Sequence, residues 1–213
     1  MSLTLLDWRR SVADLYAAVR TGVERDPSGT LAAWQAGRER LIRSHPDSPL
    51  RPEIRGAFPG LDHWPHDPAV RFEARVEPAE PQRLIATSLD GDPYPLDRIG
   101  RVRLPVGDLD VYWIAVYGGG VFIPFRDATS GHESYGAGRY LLDTIKGADL
   151  GGRGERLMLD FNYAYNPSCA YDPRWSCPLA PPANWLPVPI RAGERAPQPH
   201  AEPAEPVDGA APG

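Results

Sequence analysis

The sequence has few of the residues that mark secreted, disulfide-linked or membrane-spanning proteins. Its 213 residues include only two cysteines, Cys169 and Cys177, which are too few for a disulfide framework. No apolar run approaches the roughly 20 residues that a membrane-spanning helix needs. The first residues are interrupted by Asp7, Arg9 and Arg10, so they lack the apolar stretch of a signal peptide. These absences predict a cytoplasmic protein with reduced thiols and no membrane partner.

The sequence also lacks an excess of positive charge. The formal net charge is −5, and four acidic residues and one arginine in 192–213 account for −3 of it. The remaining chain is nearly neutral and has no basic excess to hold a phosphate backbone, so a nucleic acid partner is not expected. Lys146 is the only lysine. The preference for arginine, with abundant Ala, Gly and Pro, is typical of a GC-rich bacterial genome rather than of a particular function.

The N-terminal region has the pattern of two helices. Apolar residues spaced along 3–25 predict an amphipathic helix. Asp26 and Pro27 then supply an N-cap and a first-turn proline for a second helix that ends near Ser44. We expect residues 1–50 to form a helical hairpin, in which we find no catalytic pattern.

From residue 51 onward, short runs separated by proline and glycine replace the helical pattern. Apolar and charged residues alternate along 70–77, which predicts a half-buried strand. Further strands are predicted at 82–89, 99–105, 109–117, 121–125, 135–142 and 157–163, with an edge strand at 187–191. This spacing favours a mainly β (α+β) domain over 51–191, built as an antiparallel barrel or sandwich. The Pro/Ala-rich segment 192–213 lacks apolar anchors and is predicted to be a disordered tail.

The residues that could carry chemistry are concentrated between positions 121 and 184. Strand alternation places Arg139 on the same face as Tyr135, and Asp160 beside Asn162 on another strand. A carboxylate and an amide on an otherwise apolar strand need partners if they are buried. Arg139 is the candidate partner, because a guanidinium can hold a carboxylate through two parallel hydrogen bonds.

One hypothesis for these residues is a small-molecule pocket in or at the mouth of the β domain, possibly that of an acid–base enzyme acting on an anionic metabolite. Its catalytic candidates are Asp127, Glu133, Tyr135 and Asp160. Its ligand-binding candidates are Arg139, which would bind the anionic group, together with Asn162, Asn166, Thr129 and Cys169. Whether such a site catalyses a reaction is left open, as are its cofactor and the oligomeric state.

The alternative is a non-catalytic structural or protein-interaction module. In that interpretation Arg139 forms an internal ion pair, while Asp127 and Asn166 stabilise turns. A third option is a redox role for Cys169 and Cys177, although burial as small apolar side chains is favoured for both cysteines.

No metal site is predicted. The acidic run 127–133 lacks ligands that a calcium loop requires, so an EF-hand is rejected. His63 and His66 are separated by a proline and have no further ligands nearby in the sequence. Zinc at Cys169 and Cys177 would need two more ligands that the sequence does not offer.

Three motifs in this part of the chain resemble those of a known family. The pattern F-x-D-x-T-x-G-x-E-[ST]-Y-small-x-G-R-[YF] matches 125–140, D-F-N-x-A-Y-N-P-x-C-A matches 160–170, and C-P-x-x-P-x-x-N matches 177–184. The chain thus resembles the uncharacterised bacterial and archaeal DUF1684 family over about two thirds of its length. The resemblance implies a shared architecture and a shared polar centre, and it implies no reaction.

Overall fold

The computed structural model describes residues 3–88, 91 and 93–198. The chain begins with helices α1 (Leu3–Gly22) and α2 (Pro27–Ser44), which pack against each other. Asp26 caps α2 by accepting a hydrogen bond from the Gly29 backbone N–H at 2.9 Å, and Pro27 occupies the first turn. The two predicted helices are therefore confirmed. No helix in the described part of the chain is long and apolar enough to cross a membrane.

The described residues after the helices contain eight strands. They are β1 (Arg71–Arg75), β2 (Gln82–Thr87), β3 (Pro93–Leu104), β4 (Gly107–Ile114), β5 (Gly120–Phe125), β6 (Arg139–Asp143), β7 (Gly152–Arg153) and β8 (Arg156–Asp160). They form two antiparallel sheets with the orders β1-β8-β7 and β2-β3-β4-β5-β6. The larger sheet follows the order of the chain, so it is a meander of neighbouring hairpins.

No closed barrel forms among the described strands, so that part of the predicted fold is wrong. A barrel would require the edge strands β2 and β6 to pair with each other. The edge of β6 is instead occupied by the coil after β8, because Tyr140 and Tyr165 exchange backbone hydrogen bonds of 2.9 and 3.1 Å. The chain thus covers its own sheet edge with an isolated bridge.

Side chains alternate between the two faces of the larger sheet, and each face borders its own hydrophobic core. Tyr112, Phe122 and Tyr140 point to the helices, where they pack in one cluster with Tyr16 and Trp34. The residues next to them in sequence, Val111, Ile123 and Leu141, point to the smaller sheet and pack with Leu159 and Phe161. The central strands are therefore apolar on both faces, as predicted for 109–117. Each fully buried side chain of this size contributes roughly 1.5–3 kcal/mol.

Several strand boundaries differ from the predictions. The strand predicted at 135–142 begins only at Arg139, because 126–138 is a loop in which Gly131 and Gly138 have φ of 87° and 97°. The strand predicted at 157–163 ends at Asp160, whose side chain caps the 3₁₀ turn Phe161–Tyr163. The segment 187–191 is coil, and 82–89 is shortened to β2, with residues 89 and 90 outside the described residues.

The beginning of the segment predicted to be a disordered tail is packed into the domain. Ala192 and Glu194 are buried, and the Gly193 carbonyl accepts a hydrogen bond from the Trp64 N–H at 3.1 Å. The prediction is wrong here because backbone groups, the Glu194 carboxylate and the small side chain of Ala192 anchor this segment. Residues 199–213 lie outside the described residues. We call residues 190–195 the C-terminal strap.

Candidate functional site

Arg139 lies at the start of β6 and is only 1% exposed. Its Nη2 donates to Asp127 Oδ2 at 2.7 Å and to the Ile190 carbonyl at 2.8 Å. Its Nη1 donates to the carbonyls of Ala192 and Glu194, the latter at 3.1 Å. Both terminal nitrogens of the guanidinium are therefore committed to the chain itself, and three of their four acceptors belong to the C-terminal strap.

Two aromatic rings enclose the same guanidinium. Its carbon lies 5.0 Å from the ring centroid of Trp64 and 5.0 Å from that of Phe125. Burial lowers the pKa of Arg139, and the neighbouring Asp127 carboxylate opposes that effect. This geometry gives no support to Arg139 as the group that binds an anionic ligand. It supports the internal-network alternative.

Asp127 and Thr129 belong to the same hydrogen-bond network. Asp127 Oδ1 accepts from the Thr129 N–H at 2.6 Å and from its hydroxyl at 2.5 Å. The Thr129 hydroxyl then accepts from the Ser134 hydroxyl at 2.8 Å, because its own proton is already donated. Glu133 is apart from these groups on the surface, where hydrogen bonds from Arg191 lower its pKa.

A second buried network is centred on Glu194, which sequence analysis had left in the tail. Its carboxylate is 1% exposed and pairs with Arg38 of α2. The Asn166 N–H and the Tyr171 hydroxyl donate to it at 2.7 and 2.8 Å. Burial opposes ionisation of Glu194, but Arg38 and the hydrogen bond from the Asn166 N–H outweigh it and hold the pKa below its usual value. The Asn166 amide donates to the Arg195 carbonyl at 2.7 Å, so Asn166 belongs to this network.

Asp160 and Asn162 form a third group. Asp160 Oδ1 accepts from the backbone and side-chain N–H groups of Asn162 at 2.9 and 2.8 Å. Asn162 in turn binds both backbone groups of Asp67, at 2.9 and 2.7 Å. The cation near Asp160 is Arg71, at 3.8 Å, and not Arg139 as the sequence analysis expected. Burial raises the pKa of Asp160.

Asp160 lines a cavity of about 460 Å³ between α1 and the smaller sheet. The charged side chains around it, which define the polar cavity, are Arg20, Arg71, Arg153, Glu24, Glu73 and Asp160. Tyr163 also lines it. The Tyr163 hydroxyl and Arg71 Nε are buried and have no hydrogen-bond partner among the described residues.

Tyr135 lies apart from the groups around Arg139, Glu194 and Asp160, beside the two cysteines. Its hydroxyl donates to the Cys169 carbonyl at 3.2 Å and lies 3.7 Å from the Cys169 sulfur, and burial raises its pKa. Cys169 and Cys177 are both buried, and no disulfide bond joins them. The Cys169 thiol lowers the pKa of Cys177, while the same contact and burial raise the pKa of Cys169.

Cys177 also lines a second cavity, of about 450 Å³, which we call the thiol cavity. It lies between α1, the ends of the central strands and the coil after residue 167. Its apolar and aromatic lining includes Leu5, Trp8, Ile114, Val116, Phe122, Tyr140, Ile145 and Trp175, and its polar lining includes Arg9, Asp143, Lys146, Ser176 and Cys177. Lys146 Nζ lies 3.9 Å from Asp143 Oδ2. Burial raises the pKa of Asp143.

Comparison with known proteins agrees with the motifs. The model of the family described as "Protein of unknown function (DUF1684)" matches residues 56–195. The chain belongs to the DUF1684 family. The solution NMR structure of an uncharacterized protein from Haloarcula marismortui is 35% identical, with a TM-score of 0.55, over 81% of this chain and 95% of that chain. No curated protein matches.

The DUF1684 motifs therefore lie in separate surroundings, and the catalytic and ligand-binding candidates do not share one pocket. The first motif supplies Asp127 and Arg139 to the strap network, by which we mean Arg139, Asp127, Thr129 and the strap carbonyls that Arg139 binds. The second motif supplies Asp160 to the polar cavity. The third begins at Cys177 in the thiol cavity. It ends at Asn184, whose side chain binds the backbone of Asp110 and Pro124.

Several residues of these networks and cavities were not among the candidates predicted from the sequence. Trp8 of the thiol cavity and Arg38 of the Glu194 network come from helices outside the matched DUF1684 region. Lys146 had a visible signal, because it is the only lysine of the chain. Glu194 had none, because a single acidic residue in a Pro/Ala-rich stretch has no local pattern that predicts burial.

Proposed function

We propose that this DUF1684 protein binds a small molecule with an apolar body and an anionic end in the thiol cavity. The observation that carries the proposal is a cavity of about 450 Å³ with a mainly apolar and aromatic lining and a few polar groups. Volumes of roughly 300–1,000 Å³ with such a lining are typical of small-molecule sites. The buried networks around Arg139 and Glu194 then serve to hold the strap in place.

The character of the ligand follows from the two kinds of lining. Trp8, Phe122 and Trp175 offer large apolar surfaces, which favour a flat or aliphatic body. Arg9 and Lys146 line the same cavity, and both are cationic at neutral pH. A carboxylate or sulfonate would satisfy them, because the ion pair between Lys146 and Asp143 is long, at 3.9 Å.

The experiment uses 1-anilinonaphthalene-8-sulfonate as a probe, because it combines an apolar body with a sulfonate. Titration of the folded protein should show saturable fluorescence enhancement with one site. Val116→Trp should abolish that binding, because Val116 lies at the cavity and is half exposed, so that a larger side chain fills the space without disturbing the core.

The matched control is Val188→Trp, a partly exposed valine on the coil after the third motif. This variant should bind the probe as the wild type does. Equal loss of binding in both variants, or undiminished binding in Val116→Trp, would show that the probe does not occupy the thiol cavity and would sink the proposal.

A second candidate function is specifically favoured by the polar cavity. Arg71 and Tyr163 in its lining suit an anionic polar ligand, and the raised pKa of Asp160 suits proton transfer to or from it. This candidate keeps Asp160 as the acid–base group of the sequence hypothesis and replaces Arg139 by Arg71.

Inorganic phosphate is a suitable probe for the second candidate. It should raise the melting temperature of the wild type, because a ligand that binds only the folded state stabilises it. Tyr163→Phe, which removes only the unpartnered hydroxyl, should reduce that increase, whereas Tyr117→Phe, at a fully exposed tyrosine, should not. No shift with phosphate in the wild type would count against the polar cavity as an anion site.

A further inference from the structure

The two edges of the larger sheet are treated differently by the chain. The β6 edge is covered by the coil at Tyr165, which exchanges backbone hydrogen bonds with Tyr140. The β2 edge pairs only with β3, in a continuous register over Gln82–Thr87. Within the described part of the chain, no other backbone group binds residues 82–87. The outer side of β2 is therefore an open edge, and an open edge is a template for pairing with another chain.

The direction of the β3 backbone decides which β2 groups lie at this edge. The Ala115 N–H donates to the Pro95 carbonyl at 2.9 Å, so the backbone groups of Pro95 point to the β4 side. Backbone groups of successive residues in an antiparallel strand point to opposite sides. Those of Tyr94 and Leu96 therefore point to β2.

The β2 residues opposite Tyr94 and Leu96 are Ala86 and Leu84, whose backbone groups are used in the ladder with β3. The N–H and C=O groups of the alternate residues, Arg83, Ile85 and Thr87, consequently point outward. The open edge thus presents three donors and three acceptors in alternation.

The β2 strand also lacks the features that usually keep open edges apart. It contains no proline, and its pairing with β3 has no bulge. Its one charged residue, Arg83, is bound to Asp97 of β3 through two hydrogen bonds of 2.6 Å. Ile85, on the same face as Arg83, is 58% exposed. Neither a repelling charge nor a covering segment therefore protects this strand within the described residues.

We propose that β2 pairs antiparallel with β2 of a second copy of this chain, about a twofold axis at Ile85, so that the two larger sheets become one continuous sheet. In this register each Ile85 lies opposite the other, and Arg83 lies opposite Thr87 of the second copy. All three outward-pointing residues of one strand then meet outward-pointing residues of the other, so their donors and acceptors are matched. The inference does not depend on the ligand proposed for the thiol cavity.

Neighbouring registers fit less well. An axis at Leu84 would set Thr87 opposite Pro81 of the second copy, which has no N–H to donate. It would also bring the two Arg83 side chains within two residues of each other, and like charges that close are destabilising. An axis at Ala86 would leave Arg83 beyond the end of the other strand. The proposed axis separates the two arginines by about 13 Å along the strands, at roughly 3.3 Å per residue.

The test replaces Ile85 by cysteine and oxidises the folded protein mildly. Opposite residues of a hydrogen-bonded antiparallel pair have Cα atoms about 5.5 Å apart, which is within the range of about 4.4–6.8 Å for a disulfide. Ile85→Cys should therefore give a covalent dimer on a non-reducing gel. Cys169 and Cys177 are buried and should not contribute.

The matched control is Arg83→Cys, which places an exposed thiol on the same face of the same strand. Its two copies would lie about 13 Å apart, which is too far for a disulfide. It should stay uncrosslinked under the same oxidation. Failure of Ile85→Cys to form the dimer, or equal cross-linking of the two variants, would overturn the proposed pairing.

A second measurement uses the molecular mass in solution and needs no added cysteine. The mass of the wild type, followed by sedimentation velocity, should rise from one chain toward two as the concentration increases. Ile85→Pro should stay at one chain, because proline removes an outward N–H that the monomer does not use. Ile85→Thr keeps that N–H and a β-branched side chain, so it should still dimerise. A wild type of one-chain mass at every concentration, or an Ile85→Pro variant that dimerises equally well, would contradict the proposal.

Discussion

The strap network and the thiol cavity both contain residues of the DUF1684 motifs, and they differ in how their polar groups are satisfied. Both terminal nitrogens of Arg139 bind acceptors of the chain, so this network is closed. At the thiol cavity, Cys177 and Lys146 line open space. A closed network can stabilise the fold but has little capacity left for a ligand, whereas an open lining can bind one. This difference is the reason that we propose a structural role for the first and ligand binding for the second.

The largest effect that would test this comparison is expected for Arg139→Ala. The change removes the cation beside the buried Asp127 carboxylate and the donors to three strap carbonyls. We expect the free energy of unfolding to fall by about 3–5 kcal/mol, because an uncompensated charge remains buried. Urea denaturation followed by circular dichroism measures this loss.

The control for Arg139→Ala is Arg191→Ala, which removes an arginine that pairs with Glu133 on the surface. Its urea midpoint should stay close to that of the wild type, because an exposed ion pair is screened by solvent. An Arg139→Ala variant as stable as this control, but with impaired ligand binding, would reverse the comparison and make the strap network a binding site.

A somewhat smaller loss is expected for Glu194→Ala. Arg38 would lose its partner but would keep its position over the Tyr165 ring, 4.6 Å from the centroid, and it retains some contact with solvent. We expect a loss of about 3 kcal/mol, at the lower end of the range for a broken buried ion pair. The same urea experiment measures it, and a loss no greater than that of Arg191→Ala would show that the strap does not depend on this pair.

The smallest effect concerns the pH dependence of stability at the thiol cavity. Burial raises the pKa of Asp143 above its ordinary value of 3.8. The folded state therefore keeps a proton that the unfolded state has already lost, and this contribution to stability is full in acid and is lost as the pH rises through the folded pKa. Asp143→Asn has no carboxyl group to ionise, so its melting temperature relative to the wild type should increase as the pH rises above about 4.

Melting curves of the two proteins across this pH range provide the measurement. A difference in melting temperature that stays constant with pH would mean that the Asp143 carboxyl titrates alike in the folded and unfolded states. Glu194 should act in the opposite direction, because its pKa is lowered and its contribution is lost as the pH falls. The contribution of Glu194 to stability is thus lost toward low pH, whereas that of Asp143 is lost toward high pH.

Features set by local sequence could be predicted. The cap at Asp26 and the periodicity of the two helices depend on residues within a few positions of each other, and both helices were found. The alternation along 70–77 predicted an inner face, and Ala74 of that face is buried. The prediction of a strand at 135–142 was wrong for the residues before Arg139. Gly138 has a positive φ, and its backbone passes so close to Phe125 that a Cβ at this position would lie 2.5 Å from the Phe125 carbonyl oxygen.

The candidate site could be predicted only in part, because its contacts are distant in sequence. Arg139 was expected to be paired with a carboxylate, but its acceptors on the strap lie 51–55 residues away and no local pattern indicates them. Asp160 and Asn162 were expected to share a strand face and instead form the cap of a 3₁₀ turn. Periodicity gives the direction of a side chain within one element and cannot give the tertiary neighbour that it meets.

The C-terminal strap has a consequence for how the protein is made. Glu194 meets Arg38 across 156 residues of chain, and the acceptors for Arg139 also come from residues 190–194. During synthesis, both arginines leave the ribosome long before their partners exist and must stay hydrated. These contacts can therefore form only after the strap has been translated, and we expect the slow folding kinetics of a high contact order.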